Sequence, residues 1–165
     1  MQYQVDTQEQ TFWCWAAVAQ SVRAYFAPRS PLSQCEVATE TLRRFENPRL
    51  NCCRDPVPCD IPYYLDRALT QVGHLNFVYP APLSWNDVRY VTRQMNRPLC
   101  AYLASASSGH YVVITDAFLA NGAEYLLVHD PDDPFRGAVQ IAYDQFRLNY
   151  AMSGYLWRGC FLVQP

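Results

Sequence analysis

The hydrophobic pattern near the start of the chain predicts a helix from Cys14 to Phe26. Apolar side chains recur there at intervals of three and four residues, which places them on one face of a helix. These positions are Trp15, Val18, Ala19, Val22 and Tyr25. Thr11 is a candidate N-cap, and a helix that starts there has Cys14 in its first turn.

Three more helices are predicted in the first hundred residues from capping signals. The signals are a capping box at Ser33 and Glu36 before a helix that reaches about Phe45, a cap at Asp60 before a helix that Gly73 ends, and Ser84 with Asp87 before a helix that reaches about Asn96. The range 47–60 contains three cysteines and three prolines and is predicted to be an irregular loop.

From Leu99 onward the pattern changes to short apolar segments rich in β-branched and aromatic residues, which predict strands. The segments are Leu99–Ala104, Tyr111–Leu119, Glu124–His129, Val139–Ala142 and Cys160–Val163. Asn121-Gly122, between the second and third segments, is a strong signal for a tight hairpin turn. Helices first and strands second predict one α+β domain over residues 1–165 with an antiparallel sheet.

The composition is that of a globular protein, and it excludes several classes. Half of the 165 residues are hydrophobic and only 17% are charged, unlike disordered chains. A net charge of −2, with no basic run longer than Arg43-Arg44, provides no surface for nucleic acid. No apolar segment approaches the roughly 20 residues that a membrane-spanning helix needs. The N-terminus is too polar to be a signal peptide.

Seven cysteines are many for this length, and four of them lie within 25 residues: Cys35, Cys52, Cys53 and Cys59. A proline-rich loop builds little core of its own, so a covalent tie to the preceding helix would give it shape. We therefore expect Cys35 to bond with Cys52 or Cys53, and Cys59 with the other. Disulfides would imply that the folded protein spends time outside a reducing cytosol.

Cys14 is the candidate nucleophile, because the positive end of a helix favours the reactive thiolate form of cysteine. The ten residues from Gln8 read Gln-Glu-Gln-Thr-Phe-Trp-Cys-Trp-Ala-Ala and resemble the nucleophile segment of papain-like cysteine peptidases. In that family a glutamine six residues before the cysteine donates to the oxyanion, and Cys-Trp-Ala opens the central helix. The resemblance thus assigns Gln8 to the oxyanion hole, with Gln10 as the alternative.

His110 is the candidate general base. The segment from Gly109 to Ile114 reads Gly-His-Tyr-Val-Val-Ile and resembles the strand that carries the catalytic histidine in the same superfamily. The other two histidines fit less well. His74 follows the glycine that ends a helix and is expected to complement the helix dipole. His129 is expected to point to the opposite face of the sheet from its neighbour Asp130.

Asp130 is the candidate that orients the histidine. Val128-His129-Asp130-Pro131 resembles the strand end that carries this acid in bacteriocin-processing peptidase domains of ABC exporters and in related effector proteases. A strict two-residue turn at Asn121-Gly122 would set His110 opposite Asp133 instead. A bulge or a longer loop is needed to bring Asp130 alongside, so Asp132 and Asp133 remain alternatives.

The resemblance implies a papain-like fold, with N-terminal helices and the nucleophile on a central helix packed against a C-terminal antiparallel sheet. It implies a cysteine endopeptidase that acts through a Cys14-His110-Asp130 triad and a thioester, with no cofactor or metal. The short length and the aspartate point to the compact bacterial branch, which includes secreted effector proteases and toxin domains. Expected partners are a protein or peptide substrate and a cognate immunity or inhibitor protein, with secretion or delivery into a target cell by a route that needs no signal peptide here.

Two other functions fit parts of the sequence. An acyl transferase of the transglutaminase kind uses the same triad and thioester, and differs in that an amine replaces water as the acceptor. A metal-binding interaction module would use Cys35, Cys52, Cys53 and Cys59 to hold zinc. Adjacent cysteines do not readily ligate one tetrahedral ion, which weighs against the metal-binding module.

Overall fold

The computed structural model describes residues 3–132, 137–151 and 153–165. Its helices and strands, in chain order, are α1 (Cys14–Phe26), α2 (Gln34–Phe45), α3 (Leu65–Gln71), β1 (Leu75–Tyr79), α4 (Trp85–Arg89), β2 (Leu99–Ala104), β3 (Gly109–Ala120), β4 (Ala123–His129), β5 (Ala138–Ala142), α5 (Tyr143–Leu148) and β6 (Leu156–Val163). No helix in the described part of the chain is long and apolar enough to cross a membrane.

The strands form one sheet in the order β1-β6-β2-β3-β4-β5, and each neighbouring pair is antiparallel. Apolar side chains alternate along each strand between the two faces. On β2, Cys100 packs with α1, α2 and α3, whereas its neighbours Leu99 and Ala101 pack with α4 and α5. The predicted α+β layout, with N-terminal helices on a C-terminal antiparallel sheet, is confirmed.

The helix α1 lies between the sheet and the other two N-terminal helices. Trp15, Ala16, Val18 and Ala19 are fully buried, because the helix has neighbours on several sides. This explains why the helix has apolar residues on more than one of its faces. The first residue of this buried central helix is Cys14.

Two predicted helix caps, Thr11 and Asp60, were wrong. Residues 11–13 form a turn, and α1 begins only at Cys14, so Thr11 is not its N-cap. Likewise α3 begins at Leu65 rather than directly after Asp60. The Asp60 carboxylate instead accepts the backbone N–H of Phe12 at 2.8 Å. The residue predicted to cap the third helix thus holds the turn before α1 instead.

The structure has one strand and one helix that the pattern did not predict, β1 and α5. In addition, the predicted fourth helix is interrupted. Ser84 caps α4 as expected, but the helix continues from Tyr90 as a single wider turn of π type, and Asn96 has a positive φ of 51°. β6 also starts four residues earlier than predicted, at Leu156.

Two disulfides tie the irregular loop to α2 and to itself. Cys35 bonds with Cys53, and Cys52 bonds with Cys59. This is one of the two pairings expected from the sequence. Because all four thiols are consumed, they are not available to hold zinc, and no group of three or more candidate metal ligands occurs among the described residues.

Candidate active site

Cys14 faces a cleft rather than the core. Its exposed fraction is 9%, yet it belongs to neither of the two hydrophobic clusters that form the protein interior. It lines a cleft of about 520 Å³ together with Gln8 and His110. The first N–H groups of a helix have no acceptor within the helix, so the backbone at this position also offers hydrogen-bond donors to the cleft.

The chain on both sides of Cys14 is held by the segment that follows the second disulfide. The backbone N–H of Phe12 and the indole N–H groups of Trp13 and Trp15 donate to oxygen atoms of residues 59–61, at 2.8, 2.8 and 3.0 Å. The nearby Cys52–Cys59 bond fixes that segment. The disulfide loop therefore helps to define where α1 begins.

His110 is the second residue of β3, and its side chain is 13% exposed. Its Nε2 atom lies 2.6 Å from Asp130 Oδ1. The side chain of Cys14 also interacts with the ring and is among the groups that raise the pKa of His110. Because Nε2 faces the carboxylate, Nδ1 is the ring nitrogen left for the thiol. The three side chains thus form one line, from Cys14 through His110 to Asp130.

The β-bulge that the sequence required is present in β3. The register shifts by one residue at Thr115, so that Val113 pairs with His129. Continuing this register sets Asp130 beside Val112, which makes His110 its diagonal neighbour. Diagonal neighbours in an antiparallel pair lie about 7–8 Å apart, within reach of side chains as long as these.

Of the two alternatives to Asp130, the structure describes Asp132 but not Asp133. Asp132 has an exposed side chain, and its backbone N–H donates to Asp130 Oδ1 at 2.9 Å. It therefore supports the carboxylate that contacts His110. Asp133 lies outside the described residues.

The charges at this site stabilise each other. Burial by itself would lower the pKa of His110, but the interactions with Asp130 and Cys14 outweigh it and raise that pKa to about 10. Burial would raise the pKa of Asp130, but the bond to His110 and donors from Tyr150 and Asp132 hold it below its ordinary value. The site therefore favours an imidazolium beside an ionised carboxylate.

The other two histidines lie away from this arrangement. His74 is buried, its Nδ1 lies 2.9 Å from the carbonyl oxygen of Gln164, and its pKa is lowered by burial. Burial therefore disfavours the charged form of the ring, which is the form that would complement a helix dipole. His129 is buried, with its Nε2 atom 3.1 Å from Thr115 Oγ1 and its pKa lowered by burial.

Gln8 is positioned through its backbone by two elements. Its N–H donates to the carbonyl of Pro131, next to Asp130, at 2.8 Å. The buried side chain of Gln34, on α2, bonds to the backbone of the residues on each side, Thr7 and Glu9, at 2.7 and 2.9 Å. The residue therefore lies at the cleft by virtue of contacts from both the helices and the sheet.

The side-chain amide of Gln8 bonds to the turn before α1. Its Nε2 atom donates to the carbonyl of Thr11 at 2.7 Å and to that of Gln10 at 3.1 Å. Its Oε1 atom is buried and has no hydrogen-bond partner among the described residues. Gln10 contributes its backbone, not its side chain, to this arrangement.

Two tyrosines near these three side chains were not predicted from the sequence. Tyr150 donates its hydroxyl to Asp130 Oδ2 at 2.7 Å. Tyr155 lines the cleft, with its ring centroid 6.2 Å from that of His110, and its hydroxyl lies 2.6 Å from Ser108 Oγ. No local motif marks either residue, since both reach the site only through tertiary structure.

Comparison with known proteins agrees with this geometry. The chain matches the model of a family described as papain-like cysteine protease AvrRpt2 over residues 1–151. No curated protein matches it in sequence. Its fold is similar to that of the peptidase domain of Streptococcus ComA, a bifunctional ABC transporter involved in a quorum sensing pathway, with a TM-score of 0.66 and 16% identity over 99% of each chain.

A second ComA peptidase domain, from Streptococcus mutans, aligns with a TM-score of 0.56 and 14% identity over 99% of this chain and 100% of that one. At such identities the likeness shows the fold alone, which is papain-like. The family match is independent of it and extends over most of the chain, including Cys14, His110 and Asp130. The chain belongs to the papain-like cysteine protease family and is a cysteine protease.

Proposed function

We propose that the chain is an endopeptidase in which Cys14 is the nucleophile, His110 the general acid and base, and Asp130 the group that orients the histidine. The observation that carries this proposal is that Cys14 and His110 line one cleft and interact there, while Nε2 of His110 lies 2.6 Å from Asp130 Oδ1. A nucleophile, a base within hydrogen-bond reach and a third group orienting that base are the parts that such catalysis needs.

The reaction proceeds in two halves. The Cys14 thiolate forms a bond to the carbonyl carbon of the scissile peptide, and the carbonyl electron pair moves onto oxygen. As the C–N bond breaks, the proton of the His110 imidazolium passes to the leaving nitrogen, and a thioester remains. Water then attacks the thioester while His110 takes its proton, the C–S bond breaks, and the carboxylic acid product leaves.

The oxyanion is proposed to bind between the Gln8 amide and the backbone N–H of Cys14. The longer of the two amide hydrogen bonds, to Gln10 at 3.1 Å, is the weaker one. A developing oxyanion is a stronger acceptor than a neutral carbonyl, because its hydrogen bonds are charge-assisted. It would therefore take over that N–H while the 2.7 Å bond to Thr11 keeps the amide in place.

Replacing Gln8 with alanine is expected to lower kcat about a hundredfold with little change in KM, because the lost bond forms fully only in the transition state. Gln10→Ala is the matched control, since only the backbone of Gln10 contacts the amide. Steady-state kinetics on one peptide substrate compare the two variants. A larger loss in Gln10→Ala than in Gln8→Ala would assign the oxyanion hole to the other glutamine.

Cleavage of internal peptide bonds is favoured by the charges around the cleft. None of the described residues that line it is lysine or arginine. Apart from His110, which the proposed mechanism uses, the described lining therefore offers no cation to bind the terminal carboxylate of a substrate, as an enzyme that removes C-terminal residues would need. The acidic side chain that does line it, Asp132, is exposed at the surface.

The reaction class is tested by giving the thioester a choice of acceptor. Unfolded proteins are incubated with the enzyme and an excess of a small primary amine, and the new termini are identified by mass spectrometry. Internal cleavage with free carboxylates supports the endopeptidase. Products that carry the amine would establish the acyl transferase instead, and release of terminal residues alone would refute the internal cleavage. Protein lacking the Cys14 thiol defines the background.

The proposed setting is outside a reducing cytosol, as a secreted protein or one delivered into a target cell. The two disulfides support this setting, since such bonds persist in oxidising compartments. An effector or toxin role accords with the resemblance to secreted effector proteases. A cognate immunity or inhibitor protein is the partner that such a role would require, alongside the protein substrate.

Protein purified from its native compartment is expected to be lighter by about four hydrogens than the reduced protein, because each disulfide removes two. Reduction is expected to lower the free energy of unfolding by about 2–4 kcal/mol for each bond. Intact mass under denaturing, non-reducing conditions and urea titration with and without reductant measure the two effects. Equal masses in the two states would remove the main support for the oxidising setting.

A further inference from the structure

The buried hydroxyl of Tyr150 is directed at the far side of the proposed triad. It donates to Oδ2 of Asp130 at 2.7 Å, whereas His110 and the Asp132 backbone use Oδ1, at 2.6 and 2.9 Å. Tyr150 is 6% exposed and is not among the residues that line the cleft. It therefore reaches the chemistry through Asp130 and not through the substrate.

The position of Tyr150 is fixed by its surroundings. Its ring packs edge-to-face against the fully buried ring of Phe146, with centroids 5.4 Å apart. Its backbone N–H donates to the carbonyl of Tyr155 at 2.9 Å, which closes the segment between α5 and β6. A hydroxyl held in this way offers a fixed donor, and a fixed donor restricts the rotation of a carboxylate bonded at both oxygens.

We propose that Tyr150 is a positioning residue that holds the Asp130 carboxylate ionised and oriented toward His110. Without this donor, the charged Oδ2 atom would lose the hydrogen bond that Tyr150 provides. Hydrogen bonds to charged groups are stronger than those between neutral groups, so this loss destabilises the ionised carboxylate. The proposal rests on the proposed triad, because it acts through Asp130.

The sign of its effect on pH dependence follows from the groups around Asp130. Among the described residues these are His110 from β3, Tyr150 from the segment after α5, and Asp132 in the same turn, whose backbone N–H donates to Asp130 and whose carboxylate is exposed; Cys14 lies beyond His110. The Tyr150 hydroxyl is among the groups that lower the pKa of Asp130. Without it the carboxylate is protonated at a higher pH, so activity is lost earlier as the pH falls.

The test is a double-mutant cycle between Tyr150→Phe and Asp130→Asn. Tyr150→Phe keeps the ring contact with Phe146, and we expect kcat to fall roughly tenfold at neutral pH, with KM unchanged and the acid limb of kcat/KM moved to higher pH. In the Asp130→Asn background the same change is expected to have little further effect on kcat and none on the acid limb, because asparagine does not titrate.

Tyr143→Phe is the matched control. Tyr143 is a similarly buried tyrosine on α5, 7% exposed, whose hydroxyl donates to the carbonyl of Leu83 at 2.8 Å, away from the cleft. Its loss is expected to lower thermal stability without changing the pH profile. If Tyr150→Phe does not fold, 3-fluorotyrosine at position 150 keeps the ring and strengthens the donor, and it is expected to move the acid limb to lower pH.

The outcomes separate this proposal from the one on which it rests. If Asp130→Asn has no effect on turnover, the triad itself is wrong. If Asp130→Asn is severe but Tyr150→Phe leaves kcat and the acid limb unchanged, Asp130 is positioned without Tyr150. A loss in Tyr150→Phe that simply adds to that of Asp130→Asn, with no shift of the acid limb, would show a structural role only and would also overturn the proposal.

Discussion

Replacement of Cys14 by alanine is expected to abolish peptide hydrolysis while leaving the fold intact. In the proposed mechanism the sulfur of Cys14 is the atom that bonds to the substrate, and it is the thiol that interacts with His110. The side chain belongs to neither hydrophobic cluster, so its removal leaves no cavity in the core. Alanine is also the best helix former, which suits the first turn of α1. Circular dichroism and thermal melting establish the fold, and kinetics establish the loss.

The remaining thiols provide the control for this prediction. Cys100 and Cys160 are fully buried, and desolvation raises the pKa of Cys160 to about 12 and that of Cys100 further. Both are therefore protonated and inaccessible at neutral pH, and a thiol is alkylated through its thiolate. Iodoacetamide or an epoxide inhibitor is expected to label Cys14 first, with loss of activity in proportion. Labelling of Cys100 or Cys160 with Cys14 unmodified would overturn the assignment.

The parts of the site that local sequence defines were predictable, and the parts that depend on tertiary contacts were not. Cys14 and His110 each lie in a motif of adjacent residues, which the structure brings to one cleft. The contact of Asp130 with His110 required a bulge, and no residue near Thr115 marks one in the sequence. Tyr150 lies 20 residues beyond Asp130 and approaches it only because α5 packs on the sheet.

The same distinction holds for the fold. The long elements with regular patterns, such as α1 and the β3–β4 hairpin, were predicted, because periodicity over many residues is informative. Asn121 and Gly122 have positive φ values, 51° and 77°, as the tight turn between those strands requires. The missed elements are only five or six residues long, and β1 exists because it pairs with β6, the last strand in chain order.

Replacing His110 with alanine is expected to lower kcat by three orders of magnitude or more. General acid–base catalysis by one positioned group is worth about 10²–10⁴-fold, and in the proposed mechanism the same ring serves both the attack by Cys14 and the departure of the amine. His129→Ala is the matched control, because that histidine bonds to Thr115 and is buried away from the cleft. Its loss is expected to reduce stability but to leave kcat of the folded protein nearly unchanged. Comparable losses in the two variants would contradict the role of His110.

The pH profile provides a second, independent test of the proposed acid–base role of His110. Burial opposes its charge, but the bonds to Asp130 and Cys14 raise its pKa to about 10. The imidazolium that protonates the leaving amine is therefore present at neutral pH and is lost as the pH rises through about 10, far above the ordinary value for histidine. The alkaline limb of kcat/KM is expected near that pH. In Asp130→Asn it is expected to move to lower pH, because the negative charge that favours the imidazolium is gone. An alkaline limb that stays in place in this variant would show that another group controls it.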